Sequence, residues 1–254
     1  MNLLLANDDG FDSEGIKVLA KKLSQKHKVF IVAPDSNRSA VSHHITMFNH
    51  NSLVKLDDNI YSCSGYPVDC VFVGLSSSLL GVKIDGVISG INRGANMGTD
   101  IIYSGTCAIA RQAVLNGVPA VALSIQSAAA EDNWENDFKF DAIADFACKN
   151  LEKLLSLAKT TPPRAFVNVN ALSRDSYEGV VMTDRLCIRQ YNDSVLAIHD
   201  KDDKYHTEFV MGHNKTEIIP DTDYGICCAG KIAVSVVYAD PLCPNLVDDM
   251  EFSL

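Results

Sequence analysis

The sequence has few of the features that mark membrane, secreted or nucleic-acid-binding proteins. No apolar run approaches the length of a membrane span, and the first residues lack the basic flank and the length of a signal peptide. No cluster of lysine and arginine is long enough to follow a phosphate backbone, and the net charge of −10 repels a polyanion. These absences argue against a membrane or duplex nucleic acid as a partner, and they predict a soluble cytoplasmic protein.

Paired cysteine motifs are also absent. The eight cysteines are dilute in a chain of 254 residues, and they include neither a CxxC pair nor the spacing of a zinc site. Several lie within apolar segments, as at Cys70, Cys107 and Cys148. We therefore expect buried free thiols rather than a disulfide framework. The chain contains no internal repeat and no low-complexity tract, and its 47% hydrophobic and 21% charged residues are typical of a globular domain.

The apolar pattern predicts alternating strands and helices. The predicted elements are, in order, a strand at 2–6, a helix at 13–26, a strand at 28–33, a helix at 68–80, a strand at 85–90, a helix at 107–117, a strand at 119–125, a helix at 138–158 and a strand at 164–170. The first strand is apolar throughout, as in a parallel strand covered on both faces. This pattern predicts a doubly wound α/β core with a mostly parallel sheet over residues 1–125. Ligands of such a core bind beyond the carboxyl ends of its strands.

The second half of the chain has a different character. The helix and strand within 126–177 should complete the core, whereas alternating segments from 178 to 240 are typical of antiparallel strands or hairpins. We treat residues 1–254 as a single α/β domain, in which 178–254 forms a hairpin and C-terminal oligomerisation extension. The apolar faces of these hairpins have little room to pack on a core already covered by helices, which predicts a homodimer or homotetramer.

Two adjacent carboxylates interrupt the first apolar run. In the segment NDDG, Asp8 and Asp9 follow the strand 2–6, and Gly10 allows the chain to turn. Neighbouring carboxylates repel one another, and a hard divalent cation with oxygen ligands would relieve that repulsion. Taken alone, the segment slightly favours a simpler interpretation, in which one aspartate caps the next helix and the other faces water.

Two further loops past predicted strand ends carry oxygen-bearing side chains. The loop APDSNRSAVSHHIT, residues 33–46, could bring Ser39 to the same edge of the sheet, although serine-rich loops are often only solvated turns. The loop SGINRGANMGTD places Asn92 and Asn96 among glycines, which supplies amide oxygens for a metal and amide N–H donors for a phosphate. Its glycine spacing matches neither a dinucleotide-binding fingerprint nor a P-loop.

A fourth loop has the character of an anion site. The segment YSGTCAIARQAVL places Ser104, Gly105 and Thr106 at a helix start, where free backbone N–H groups and the helix dipole favour phosphate. In isolation an ordinary serine or threonine N-cap explains the segment better. Taken together, the four loops combine carboxylate, hydroxyl and amide oxygens with an anion cradle. That combination predicts a metal-assisted phosphoester hydrolase.

Five segments identify a family. They are LLLANDDGFDSEGI, VFIVAPDSNRSAVSHHIT, GYPVDCVFVGL, DGVISGINRGANMGTDIIYSGTCAIAR and GVPAVALS, which are collinear and span most of residues 1–125. Through them the sequence resembles the SurE family of stationary-phase survival proteins, which are metal-dependent 5′/3′-nucleotidases. The C-terminal half matches more loosely, through FVNVN and TDY (222–224). The resemblance implies a Rossmann-like core with protruding arms that are exchanged between subunits.

The resemblance also implies a set of site residues. One divalent ion per subunit, Mg²⁺ or Mn²⁺, would bind a phosphate oxygen of the substrate. The implied metal ligands are Asp8, Asp9, Ser39 and Asn92, and the implied phosphate-binding residues are Asn96, Ser104, Gly105 and Thr106. Asp8 and Asp9 are also the candidate catalytic residues. The sequence leaves open whether Asp8 attacks phosphorus directly or acts as a base for water.

The predicted function is hydrolysis of nucleoside 5′- and 3′-monophosphates to nucleoside and phosphate. The alternative is a nucleotide-binding sensor that uses the same pocket without turnover. A haloacid-dehalogenase-like phosphatase is disfavoured because its two aspartates are separated by one residue, whereas here they are adjacent. The chain departs from the family pattern at Ala40, Tyr66 and Gln112, where the family commonly has glycine, threonine and an acidic residue. We expect these departures to affect loop geometry and substrate preference.

Overall fold

A computed structural model describes residues 1–127, 138–200 and 204–242 of the chain. Parts of two predicted segments, 126–177 and 178–254, therefore lie outside the described residues. The strands are β1 Asn2–Ala6, β2 Lys28–Pro34, β3 Leu53–Asp57, β4 Ile60–Cys63, β5 Gly86–Arg93, β6 Ala120–Gln126, β7 Ala165–Leu172, β8 Val180–Met182, β9 Ser194–His199, β10 Tyr205–Val210 and β11 Ile232–Tyr238. The α-helices are α1 Glu14–Leu23, α2 Pro67–Ser76, α3 Gly105–Leu115, α4 Asp141–Leu157 and α5 Asp223–Cys228. A short 3₁₀-helix covers Gly98–Ile102.

Nine strands form one mixed, mostly parallel sheet in the order β3-β4-β2-β1-β5-β6-β7-β11-β8. The six strands from β4 to β7 in this order are parallel to one another. Strands β3 and β11 run antiparallel to their neighbours β4 and β7. Strands β9 and β10 pair separately as an antiparallel hairpin. The predicted α/β class, with a doubly wound, mostly parallel sheet and a C-terminal hairpin, is confirmed.

Helices cover both faces of the central strands, which explains why β1 is apolar from Leu3 to Ala6. Leu3 and Leu5 pack into a cluster with residues of α1 and α4. Leu4 and Ala6, on the opposite face, pack with residues of α2 and α3. Because successive side chains of a strand alternate between faces, a strand buried on both sides needs an uninterrupted apolar run.

The order in which strands are added to the sheet reverses at β1, and this reversal positions the site. From β1 the chain passes to β2 on one side and later returns to β5 on the other, so that β1 and β5 are parallel neighbours. The connections on the two sides therefore diverge, which leaves a crevice between the carboxyl ends of β1 and β5. Asp8 and Asp9 follow β1, and Asn92 lies near the end of β5. The predicted ligands thus flank the topological switch point of the sheet.

Three local expectations differ from the structure. The helix predicted at 68–80 ends at Ser76. The Ser77 hydroxyl donates to the carbonyl of Val73 at 2.5 Å and accepts from the Leu79 amide, which offers the backbone an alternative to another helical turn. The β3–β4 hairpin was not predicted, although the apolar alternation of its strands and the turn residue Asn59 were visible in the sequence. In the structure Asn59 adopts φ of +64°.

The third difference concerns the C-terminal region. Strands β8 and β11 join the main sheet, and within residues 180–191 of the strand-like region predicted from 178 to 240 only β8 is a strand. The amides of Arg185, Cys187 and Arg189 instead donate to side-chain oxygens of other residues. Their hydrogen bonds are therefore satisfied without a partner strand. Within the described residues, no helix is both long enough and apolar enough to cross a membrane.

Candidate active site at the switch point

Asn7 shapes the turn that presents the two aspartates. It is fully buried, and its side-chain Nδ2 donates to the Gly10 carbonyl and to the Ser13 hydroxyl, both at 2.7 Å. Its Oδ1 accepts from the Gly10 amide at 3.2 Å. Gly10 adopts φ of +106°, which favours glycine. Sequence reasoning missed Asn7, although an asparagine three residues before a glycine is a recognisable turn signal.

Asp8 is a buried carboxylate at the N-terminus of α3. It is only 3% exposed, and the Thr106 hydroxyl donates to its Oδ1 at 2.5 Å. Burial raises the pKa of Asp8, while hydrogen bonds from the Thr106 hydroxyl and from the backbone amides of Gly105 and Thr106 oppose that rise. The Asp8 carboxyl group is therefore buried but surrounded by hydrogen-bond donors. A nearby cation would stabilise its charged form further.

Gly105 allows this close approach. A Cβ at position 105 would lie 2.8 Å from the Cβ of Asp8 and 2.9 Å from its Oδ2. Both separations are shorter than real Cβ contacts, so any larger residue would displace Asp8 or the start of α3. Glycine is therefore required between Ser104 and Thr106 because a larger residue would clash with Asp8.

Asp9 is the second carboxylate, and it is partly buried. Burial, followed by the neighbouring charge of Asp8, raises the pKa of Asp9 to about 7. The Arg93 backbone amide donates to Asp9 Oδ2 at 3.1 Å and opposes the rise, as does the Arg93 charge. Two carboxylates that repel one another in a crevice fit a site for a divalent cation.

Asn92 and Ser39 each have a side-chain oxygen that can still accept or coordinate. Asn92 is 9% exposed, and its Nδ2 donates to the Gly94 carbonyl at 2.9 Å, which leaves its Oδ1 as the acceptor end. The Ser39 hydroxyl donates to Asn37 Oδ1 at 2.6 Å, so that its lone pairs remain free to coordinate a cation. The Arg38 amide donates to the Asp8 carbonyl at 2.7 Å and holds the Ser39 loop against the β1 turn.

The Ser39 loop is held at two further points. The Ser42 hydroxyl and amide donate to the carbonyls of Ile102 and Tyr103, just before α3, at 2.8 and 2.9 Å. Near the end of the loop, the Thr46 amide and hydroxyl donate to the carboxylate of Asp69 in α2 at 2.9 and 2.7 Å. The loop is therefore fixed both to α2 and to the residues that precede α3.

His43 also fixes this loop. Its Nε2 shares a hydrogen bond with Gln112 Oε1 at 2.9 Å. Gln112 is one of the positions at which the chain departs from the family pattern. Burial, helped by the charge of Arg111, lowers the pKa of His43. The neutral ring is thus favoured, and the contact gives His43 a structural role in joining the loop to α3.

Asn96 lies in a buried polar network with residues of β6 and β7. Its amide donates to Asn170 Oδ1 at 2.9 Å, and its Nδ2 donates to the Ser124 hydroxyl at 2.8 Å. Its carbonyl accepts from the side chains of Asn168 and Asn170 at 2.8 and 3.0 Å. Sequence reasoning missed Ser124, Asn168 and Asn170. They could have been found in the sequence as polar residues at alternate positions of otherwise apolar strands, as in FVNVN.

The two hydroxyls of the predicted phosphate turn already have partners. Ser104 caps α3 by accepting from the Cys107 amide at 2.9 Å, and the fully buried Thr106 donates to Asp8. The structure therefore gives the helix N-terminus an anionic side chain, Asp8, as its immediate neighbour. Direct phosphate contacts of Asn96, Ser104, Gly105 and Thr106 stay a prediction.

The oxygen donors at this edge suit a hard metal ion. The set contains two carboxylates, one amide oxygen and one hydroxyl, which match the preferences of Mg²⁺ or Mn²⁺ rather than of zinc or copper. In the part of the chain that the structure describes, no group of three or more histidine, cysteine, aspartate or glutamate side chains could hold a metal. The seven described cysteines are free thiols.

Comparisons with known proteins identify the family of this chain. The family model described as "Survival protein SurE" matches residues 3–193. The chain belongs to the SurE family. Among its relatives, the protein named 5′-nucleotidase SurE of Treponema pallidum is 40% identical over 180 residues, which are 70% of this chain and 93% of the relative. The protein of the same name from Citrifermentans bemidjiense is 35% identical over 242 residues, 94% of each chain.

A solved SurE structure extends the likeness to three dimensions. The SurE protein from Aquifex aeolicus aligns with a TM-score of 0.77 at 31% identity, and the alignment covers 94% of each chain. The SurE fold therefore includes the C-terminal half of this chain, where the sequence motifs are weakest.

Proposed function

We propose that this protein is a divalent-metal-dependent nucleotidase that hydrolyses nucleoside 5′- and 3′-monophosphates to nucleoside and phosphate. Membership of the SurE family, with relatives named 5′-nucleotidase, supports nucleotide phosphatase activity. One observation in the structure carries the proposal. Asp8 is buried at the switch point of the sheet, bonded to Thr106 at the start of α3 and adjacent to a second carboxylate whose pKa is raised.

The proposed metal ligands are Asp8, Asp9, Ser39 and Asn92. When bound, one Mg²⁺ or Mn²⁺ per subunit supplies positive charge that binds a phosphate oxygen and stabilises charge developing on the transferred phosphoryl group. Asp9 and Asn92 present oxygens from adjacent strand ends, and the Arg38 contact with the Asp8 carbonyl brings the Ser39 loop beside them.

Asp8 has the central role in the proposed chemistry. Thr106 and the amides of Gly105 and Thr106 orient its carboxylate and favour its ionised form. An ionised, oriented carboxylate can attack phosphorus or take a proton from the attacking water. Asn96 and the Ser104-Gly105-Thr106 turn are proposed to hold the phosphate.

The phosphate requirement should dominate substrate selection. The proposed binding groups are a metal ion and a helix terminus, and both are indifferent to the base. We expect ribo- and deoxyribonucleoside monophosphates with various bases all to be cleaved, with modest preferences among them. A panel of nucleotides assayed for released phosphate tests this. Saturable nucleotide binding without phosphate release would indicate a sensor instead, and cleavage confined to one base would contradict the expected tolerance.

We also propose that the protein is a homodimer or homotetramer. Every residue of β9 and β10 is exposed, and the hairpin displays large apolar side chains such as Val195, Tyr205 and Phe209 at about 60% exposure. An apolar two-stranded hairpin that is exposed along both strands is a poor solvent-facing structure. Light scattering at micromolar concentration should give two or four times the mass of one chain, and a monomeric mass would contradict the proposal.

A further inference from the structure

The loop formed by residues 94–103 connects two parts of the candidate site. It begins two residues after Asn92, contains Asn96 and ends immediately before Ser104. The carbonyls of Ile102 and Tyr103 within it also receive the Ser42 contacts that hold the Ser39 loop. A displacement of the 94–103 loop would therefore move proposed metal and phosphate ligands together.

Asp223, in the TDY segment, fastens this loop to the C-terminal region. Asp223 is 1% exposed, and its carboxylate accepts three backbone amides. The Gly98 amide donates to its Oδ2 at 2.7 Å, and the amides of Cys187 and Tyr224 donate to its Oδ1 at 2.8 and 2.9 Å. One side chain thus joins the 94–103 loop, the segment before β9 and the start of α5.

The capping of α5 does not account for Asp223. Thr222 is the N-cap of that helix, and its hydroxyl accepts from the Gly225 amide at 3.2 Å. Two of the three amides that Asp223 binds, those of Gly98 and Cys187, belong to other segments of the chain. A buried carboxylate devoted to distant backbone groups fixes the relative position of those segments.

Gly98 shows how closely the two segments approach. It adopts φ of +55°, and a Cβ at this position would lie 2.0 Å from the carbonyl oxygen of Cys187. Only glycine allows this contact, so the backbone of the 94–103 loop lies directly against the 185–191 segment.

A second connection lies one and two residues further along the loop, at Thr99 and Asp100. The Tyr191 hydroxyl donates to Asp100 Oδ2 at 2.6 Å, and Arg189 Nε donates to the same oxygen at 3.0 Å. The Arg189 amide donates to the Thr99 hydroxyl at 3.1 Å. The side chain of Arg189 is 3% exposed, so this ion pair is screened little by solvent.

We propose that Asp223 is a positioning residue for the candidate active site. It holds the 94–103 loop, through the Gly98 amide, in the place where Asn92, Asn96 and the α3 N-terminus converge. The C-terminal region then supports the site as well as presenting the hairpin. This inference rests on the proposed nucleotidase function for its catalytic consequence, and on the contacts alone for its effect on the loop.

Asp223→Asn tests the role with little change of shape. An asparagine can direct Oδ1 to the amides of Cys187 and Tyr224, but its Nδ2 then faces the Gly98 amide, and two donors cannot bond. We expect kcat/KM for a nucleoside monophosphate to fall about 10- to 100-fold at 25 °C, since small misplacements of reacting groups have effects of that size. We also expect amides of a peptide covering 94–103 to exchange hydrogen on the order of 10-fold faster.

Thr222→Val is the matched control. It removes the Thr222 hydroxyl that caps α5, next to Asp223 in the sequence, but leaves the contact between Asp223 and Gly98 intact. We expect its melting temperature to fall by a few degrees. Its kcat/KM should stay within about twofold of wild type, because the hydrogen bonds that hold the loop remain. Exchange in the 94–103 peptide should likewise match wild type.

Tyr191→Phe gives a second, milder variant if Asp223→Asn does not fold. It removes a half-buried hydroxyl from Asp100, and we expect faster exchange in the 94–103 peptide and a several-fold lower kcat/KM. The proposal is overturned if Asp223→Asn, or Tyr191→Phe in its place, keeps wild-type exchange in this peptide. It is also overturned if Thr222→Val loses as much activity and protection. If wild type releases no phosphate, the proposed function fails, and the exchange comparison alone decides the role of Asp223.

Discussion

Asp8→Asn should reduce kcat for nucleoside monophosphates by about 10³- to 10⁴-fold, at the upper end of what a positioned acid or base contributes. Asparagine keeps an oxygen that can accept from Thr106, but it can neither carry the negative charge that a cation needs nor act as nucleophile or base. The variant should lose both metal affinity and turnover, and raising the metal concentration should restore little of the rate.

The fold should survive this substitution. Asp8 is a buried carboxylate whose pKa is raised by burial, so the metal-free protein gains no stability from its charge. We expect the metal-free melting temperature of Asp8→Asn to equal or exceed that of wild type, as when a strained functional group is removed. Asp12→Asn, an exposed change four residues away, is the control and should keep kcat within about threefold. A folded Asp8→Asn protein with near wild-type turnover would remove Asp8 from the mechanism.

Thr106→Val should lower kcat and weaken metal binding together. The buried hydroxyl of Thr106 donates to Asp8 Oδ1, and a hydrogen bond to a charged group contributes about 1.5–3 kcal/mol, or roughly 10- to 150-fold. Without that donor the ionised form of Asp8 is less favoured, so higher metal concentration should restore part of the rate. Kinetics at several metal concentrations measure both effects.

This expectation replaces the simpler one from sequence, in which Thr106 binds phosphate and leaves the metal ligands unaffected. The control is Thr106→Ser, which keeps the hydroxyl and should stay close to wild type. A raised KM for nucleotide, with unchanged kcat and unchanged metal affinity, would contradict the contact with Asp8 as the main role of Thr106 and favour phosphate binding.

The sequence was sufficient to predict that Asp8, Asp9 and Asn92 lie near the carboxyl ends of neighbouring strands, because parallel strands bring those ends to one edge. Asp8, Asp9 and Asn92 follow buried apolar runs, so their convergence followed from the order of strands and helices alone. The orientation of each side chain could not be predicted in this way. The hydroxyl of Thr106 is adjacent to a helix start in the sequence, and nothing local distinguishes a phosphate from the carboxylate of Asp8 as its partner.

The C-terminal half was less predictable because its contacts are not periodic. The segment 180–191 has a strand-like pattern, yet its amides bind the side chains of Thr183, Asp223 and Thr99, which lie up to 90 residues away. Strand β11 pairs with both β7 and β8, and its neighbours could not be chosen from the alternation of its own residues.

Hydrolysis of nucleoside monophosphates by this protein should require a divalent cation held by Asp8 and Asp9. Phosphate release by the purified wild-type protein, stripped with chelator and then titrated with Mg²⁺ or Mn²⁺, tests it most directly beside the Asp8→Asn, Asp9→Asn double variant. We expect the stripped wild type to be inactive and to regain activity with saturable dependence on the metal, while the double variant stays inactive at every concentration. A well-folded double variant that releases phosphate at the wild-type rate in the presence of chelator would contradict this metal requirement.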